Sequence, residues 1–431
     1  MKQIKFSWQH SRVAQDKIQA IKERLKPECE RIKAAWGAGY TDEYASLSLP
    51  SDDNLLATVQ EVVAQKRQLK PAVLVIIGMG GSSLGARAVY HALRSGAAPS
   101  VYFLDTLDGR YCQEVYKVCE AVLQAGKEIL ITVISKSGTT TETIANAQLF
   151  IKLLAEYNKP YQEYVVAITD EDSPLWNAAR THAMSCLPVP KLVGGRYSVF
   201  SAVGLFPLGM MGFDLVALRD GAQSMKESCS DTTIMNNPAA MSAAILYEQY
   251  RAGFVIHDTF LFSRPLHAVA DWYRQLVGES LGKADNRQGK RVNVGITPTV
   301  SVGPEDLHSV AQLYLGGPYN RITSFLSTPQ EGTLAVTTGS PFDELVPMIR
   351  GKSFAEIMDA IERGTQKAYE HDKRPFMMIA LPEISAYAIG QFMQLKMVEI
   401  MYLGFLFDIN PFDQPQVELY KKETREILDH E

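Results

Sequence analysis

The chain has 431 residues, 46% hydrophobic and 21% charged, with a net charge of −5 and no basic run. At ~150 residues per domain that length fits two or three domains, and the acidic balance argues against nucleic acid or an anionic membrane as a main partner. Five cysteines, odd in number and without C-x-x-C spacing, argue against a disulfide framework and for a reducing, cytoplasmic setting. Met1 to Trp8 has no apolar h-region, so no signal peptide is expected. Strings such as Val73 to Ile77 are too short to span a bilayer.

Residues 1–45 read as helical, with Val13, Ile18, Ile21, Leu25 and Ile32 at near-helical spacing. A strand–helix alternation follows, with candidate strands at Val73–Ile77, Val101–Leu104, Ile129–Ile134, Tyr164–Ile168 and Ala183–Leu187. Parallel strands joined by helices form a doubly wound α/β sheet, which binds ligands at the carboxyl ends of its strands. A helical connector is expected over about 204–252. A second alternation has candidate strands at Thr259–Phe262, Val292–Ile296, Ile322–Leu326 and Phe376–Ala380. A long apolar helix, about Tyr387 to Phe405, and a polar helix from about Gln416 end the chain. With no low-complexity linker between them, the two α/β units are expected to pack closely.

The most informative stretch is Ser135-Lys136-Ser137-Gly138-Thr139-Thr140-Thr141-Glu142-Thr143, between the strand Ile129–Ile134 and a helical pattern. Backbone N–H groups at a helix N-terminus form an anion site, and the helix dipole favours negative charge there. A cap needs one or two hydroxyls. Six hydroxyls and a lysine point to phosphate. A second glycine-rich turn, Gly78-Met79-Gly80-Gly81-Ser82-Ser83, follows Val73–Ile77. It departs from G-x-G-x-x-G at Ser83, and Asp105 is a weak ribose partner, so a nicotinamide site is disfavoured.

Further along, Gly194-Gly195-Arg196 brings a guanidinium to a backbone that a ligand can approach. Gln275 and Glu279, four apart, share a helix face. Glu279 stands among small residues and leucines, where desolvation would raise its pKa toward that of a general base. Lys283 ends a stretch that matches a P-loop only loosely. None of the eight histidines has H-E-x-x-H spacing, so no metal site is expected, and His308 has no rank by composition. Lys421 falls on the early turns of the last helix, after a loop punctuated by Pro411 and Pro415.

In this order and together, the stretches resemble the phosphoglucose isomerase (glucose-6-phosphate isomerase) family, and look more like its shorter bacterial branch. The family's signatures are matched at Gly195-Arg196-Tyr197-Ser198 and at Phe412 to Lys421, and its S-K-x-x-T-T-x-E phosphate loop at Ser135 to Glu142. The sequence departs from the commoner animal pattern at Gly138 (usually Phe), Leu281 (usually Asn) and Pro415-Gln416 (usually Trp-Gly). The Asn-Gly-Gln that often precedes the family histidine is absent.

The resemblance implies two sugar-isomerase (SIS) domains, each a flavodoxin-like parallel sheet. On this chain they fall at 46–215 and 251–400, with a helical N-terminal segment at 1–45, a connector at 216–250 and a C-terminal arm at 401–431. It implies isomerisation of glucose 6-phosphate and fructose 6-phosphate through a cis-enediolate, with no metal or organic cofactor. By resemblance Gly81 and Ser82 form the first sugar-phosphate loop, and Ser135, Lys136, Ser137, Gly138, Thr139 and Thr140 the phosphate cradle. Gly195 and Arg196 face the enediolate, Gln275 and Gln414 contact ligand, and Glu279 is the base. His308, from the neighbouring subunit of a homodimer, and Lys421 open the sugar ring. A non-catalytic SIS-type sensor would need only the Ser/Thr loops. An isomerase of mannose 6-phosphate stays open, because pocket shape at C2 is not legible in sequence.

Overall fold

In the computed structural model the residues described are 2–94 and 99–430. Their strands are β1 (Lys5–Ser7), β2 (Val73–Ile77), β3 (Ser100–Leu104), β4 (Ile129–Ile134), β5 (Val165–Asp170), β6 (Ser185–Val189), β7 (Ile256–Leu261), β8 (Lys283–Asp285), β9 (Arg291–Val294), β10 (Thr297–Val302), β11 (Arg321–Ser327) and β12 (Phe376–Ala380). The first sheet is wholly parallel in the order β3-β2-β4-β5-β6. That is the flavodoxin-like order, whose switch point lies between β2 and β4. Both strands there are buried along their full length, as their unbroken aliphatic runs require.

The second sheet has the order β1-β12-β11-β7-β10. Its four parallel strands repeat the flavodoxin-like pattern. The fifth place is taken by β1, which runs antiparallel to β12. Residues 5–7 are therefore a strand where a helical reading was expected. The N-terminal helix runs over Gln15–Ala35.

A second difference concerns Val292–Ile296, expected as a sheet strand. Arg291–Val294 pairs instead with Lys283–Asp285 in a two-stranded antiparallel ribbon. The sheet strand is Thr297–Val302, which carries Pro298 and only a partly buried face. It sits at the sheet edge, where proline is tolerated and the apolar signal is weak. The β6 strand begins two residues later than read, because Ala183 takes a positive φ of 54° and turns the chain first.

The stretch read as a connector forms the helices Ala202–Met210, Leu215–Ser224, Lys226–Ser230 and Pro238–Arg251. Leu215–Ser224 and Pro238–Arg251 pack with the long helix Ala386–Leu406, which is buried over almost its whole length. One continuous hydrophobic cluster includes Leu74, Ile76 and Leu130 of the first sheet and Leu261, Leu326 and Ile379 of the second. The two units thus share a core. Among the described residues no helix is long and apolar enough to cross a membrane.

Candidate active site

The loops after β2, β4 and β6 leave the carboxyl edge of the first sheet and carry the glycine-rich turn, the Ser/Thr loop and Arg196. After β4, Ser135 is buried and ties the loop together. Its hydroxyl lies 2.9 Å from Thr140 Oγ1 and accepts from the Gly138 N–H at 3.1 Å. Ser137 and Thr139 remain exposed. The helix Thr141–Glu156 starts at Thr140 without a side-chain cap, although Asp108 and Ser173 cap the helices at 109–124 and 174–181. Its first N–H groups are orphan donors beside exposed hydroxyls, the arrangement that suits a phosphate. Capping does not account for the hydroxyls.

Gly138 has φ +72°, and a Cβ there would lie 2.7 Å from the Leu175 amide nitrogen and 2.9 Å from Ser173 Oγ. Close packing of this loop on the helix 174–181 is why no larger residue stands there. The closest loop approach is at Gly81, where a Cβ would fall 2.2 Å from the Gly195 carbonyl carbon. The turn bearing Ser82 and the turn bearing Arg196 therefore meet backbone to backbone. Asp105 is engaged elsewhere, 3.1 Å from Arg87 Nη1.

Arg196 is buried and nearly saturated. Its Nε donates to Ser280 Oγ (2.7 Å), Nη1 to Gln414 Oε1 (2.6 Å), and Nη2 to the carbonyls of Pro411 (2.6 Å) and Asp413 (2.9 Å). Nη1 also lies 3.4 Å from Glu279 Oε2. Gln275 Nε2 donates to Glu279 Oε1 at 3.0 Å. The shared face of the helix His267–Leu281 thus sets the two side chains against each other, with Glu279 facing Arg196. The carboxylate is not shut among leucines as expected: its side chain is 36% exposed and flanked by a cation and an amide. Gln275 Oε1 is a buried acceptor with no partner among the described residues.

A cavity of 270 Å³ opens at this cluster, lined by Lys136, Gly194, Gly195, Phe412, Gln414 and Glu418 among others. Lys136 also lines a neighbouring cleft of 770 Å³ with Ser137 and Asp170. Burial pushes the Lys136 ammonium below its ordinary pKa; Asp170 opposes that shift and Arg196 adds to it. Lys136, Gly195, Arg196, Gln275, Glu279 and Gln414 are therefore brought together, with Gly81 and Ser82 against them and the Ser135–Thr140 loop adjoining.

Two predicted residues stand apart. Lys421 lies on the helix Val417–His430, its Nζ paired with Glu418 Oε1 at 2.7 Å; Glu418, not Lys421, lines the cavity. His308 is exposed after the turn Glu305–Leu307. Glu279 lies in the last turn of its helix, near the start of β10, and Gly278 approaches Pro298. His308 follows the far end of β10, one six-residue strand away, a span of ~20 Å. The reading from sequence gave no role to Lys283, whose buried Nζ donates to the carbonyls of Glu279 and Asp413, both at 2.7 Å. A lysine just beyond a helix C-terminus was the one available signal.

The phosphoglucose isomerase family model matches residues 65–431. A glucose-6-phosphate isomerase of Carboxydothermus hydrogenoformans is 30% identical over 436 aligned residues, which cover 98% of this chain and 92% of the relative. The crystal structure of a hypothetical protein from Thermus thermophilus aligns with a TM-score of 0.86 at 29% identity over 99% of both chains. That of a glucose-6-phosphate isomerase from Chlamydia trachomatis has a TM-score of 0.85 at 22% identity, over 99% of this chain and 88% of its own, and speaks to the fold. With the paired glycine loops, the uncapped helix and the Arg196–Glu279 cluster held in that fold, the chain belongs to the phosphoglucose isomerase family.

Proposed function

We propose that the chain interconverts D-glucose 6-phosphate and D-fructose 6-phosphate, the reaction of its family, at the Arg196–Glu279 cluster. One observation carries the assignment: a single carboxylate, Glu279, is held by Gln275 and by a buried guanidinium 3.4 Å away, and that guanidinium's partner Gln414 lines a cavity together with Lys136 of the uncapped Ser/Thr loop.

The Ser135–Thr140 loop and the helix behind it bind the phosphate. They break no bond; remote binding energy holds the sugar in position. Glu279 takes the proton from C2 and leaves a cis-enediolate. The same carboxyl returns that proton to C1 on the same face, so one residue serves both directions. Arg196 supplies fixed positive charge that needs no reorganisation as negative charge develops. The unpartnered Gln275 Oε1 suits a sugar hydroxyl. Gly81, Ser82, Gly195 and Gln414 complete the wall.

His308 and Lys421 open the sugar ring. Because His308 and Glu279 lie at opposite ends of β10, His308 acts at the site of the neighbouring subunit in a homodimer. A dimer is also supported by the exposed Leu334, Phe342, Leu345 and Met348 between β11 and the helix Phe354–His371. The two sheets support the division into units at 46–215 and 251–400. Free cysteines support a cytoplasmic setting.

The test is a coupled assay of glucose 6-phosphate formed from fructose 6-phosphate, with chelator present and mannose 6-phosphate as competing substrate. Turnover is expected with chelator. Glu279→Gln is expected to lower kcat by about 10²–10⁴-fold with little change in phosphate affinity. Near-normal turnover in that variant sinks the assignment of the base.

A further inference from the structure

We propose that Lys283 is a positioning residue for the isomerisation, fastening the loop that carries Gln414 to the end of the helix that carries Glu279. The proposal rests on the reading of Glu279 as base. Lys283 begins β8, directly after the helix His267–Leu281 and Gly282. Its side chain is 4% exposed. Its three donors face three acceptors: the Glu279 carbonyl at 2.7 Å, the Asp413 carbonyl at 2.7 Å, and Asp413 Oδ1 at 3.4 Å.

The Glu279 carbonyl is among the last four of its helix, which have no intrahelical partner, and a cation there also meets the negative end of the dipole. The Asp413 carbonyl accepts from Arg196 as well, at 2.9 Å. Two cations from different parts of the chain therefore converge on one carbonyl, one residue before Gln414. Without Lys283 the loop keeps its Arg196 contacts but loses its tie to the Glu279 backbone. A misplacement of ~1 Å is enough to cost about 10²-fold in rate.

The arrangement needs the ammonium. A neutral amine has two N–H donors, and its lone pair would face an oxygen. Burial, together with the Arg196 charge, pushes the Lys283 pKa down to about 8; Asp413 and Glu279 oppose that shift. Asp285 and Arg287 line the same 340 Å³ cleft. Deprotonation as pH rises through that value would release one of the three contacts.

The experiment compares wild type, Lys283→Met and Lys283→Arg. Lys283→Met is expected to lose about 10²-fold in kcat, keep KM for fructose 6-phosphate within about threefold, and exchange the amide hydrogens of Phe412, Asp413, Gln414 and Gln416 faster. Wild type is expected to lose kcat on the alkaline side with a midpoint near 8. Lys283→Arg, which cannot titrate there, is expected to keep kcat within about tenfold of wild type and to lose that alkaline limb. Wild-type kcat in Lys283→Met, or unchanged exchange at those amides, overturns the proposal. An alkaline limb unaltered in Lys283→Arg overturns it even if Lys283→Met does not fold. If wild type itself fails to isomerise, the assignment of function falls, while hydrogen exchange still reads the loop directly.

Discussion

At Gly81 a single hydrogen stands where any other side chain would separate two loops. A Cβ there lies 2.2 Å from the Gly195 carbon and 2.5 Å from the Arg196 nitrogen, both backbone atoms that cannot swing aside. Gly81→Ala is expected to shift Arg196 relative to Glu279 and cut kcat/KM by about 10²-fold, with far-UV circular dichroism unchanged; steady-state kinetics check it. Arg196 has a related logic. Its guanidinium is buried yet meets two carbonyls, a hydroxyl, an amide oxygen and a carboxylate. A buried charge is tolerated when its donors are satisfied, and that same saturation fixes its direction.

Among the elements, the helix Thr141–Glu156 stands out because it lacks a side-chain cap at a terminus crowded with hydroxyls. Ser137 and Thr139 are exposed, and the Thr139 N–H and hydroxyl each reach Ser137 Oγ at 3.4 Å. Ser137→Ala and Thr139→Ala are each expected to raise KM several-fold while kcat stays within about twofold. Their unfolding midpoints should match wild type, since exposed substitutions stay within about 0.5 kcal/mol. The helix Gln15–Ala35 carries a different signature. Its Glu28 accepts from the Tyr44 hydroxyl and is buried. Burial raises its pKa to about 7; Tyr44, Arg31 and Arg287 pull the other way and Glu43 adds to the rise. Between the ordinary 4.5 and that value the folded state holds the proton more tightly than the unfolded state. This part of the stability is therefore full below pH 4.5 and is lost as pH rises through about 7. Glu28→Gln keeps an acceptor for Tyr44 without the charge. It should match wild type in acid and exceed it by about 2 kcal/mol at pH 8, as read by denaturant titrations across that range.

On the scale of the whole molecule, the helix His267–Leu281 ends near the start of β10 and His308 follows its far end. If a second copy supplies His308, two inactive variants complement each other. Mixing Glu279→Gln with His308→Ala after subunit exchange should restore about a quarter of wild-type activity, since half the dimers are mixed and each has one intact site. No recovery after verified exchange would rule out His308 acting at the neighbouring subunit's site. The shared core across both sheets means this geometry is set by folding, not by a hinge between domains.

The sequence by itself determined the parallel first sheet and its loops, because buried aliphatic runs such as Val73–Ile77 and Ile129–Ile134 leave no other reading. It also determined the chemical inventory: the hydroxyl-rich loop, Arg196, and the Gln275–Glu279 pair on one helix face. The edge strands of the second sheet were not legible, since β1 and β10 are short or half-exposed and carry little apolar pattern. Only the tertiary structure decided what Arg196 and Lys283 hold. Their partners Pro411, Asp413 and Gln414 lie more than a hundred residues away and offer mainly backbone carbonyls. Every residue has a carbonyl, so no residue type marks in advance which ones a buried cation will need.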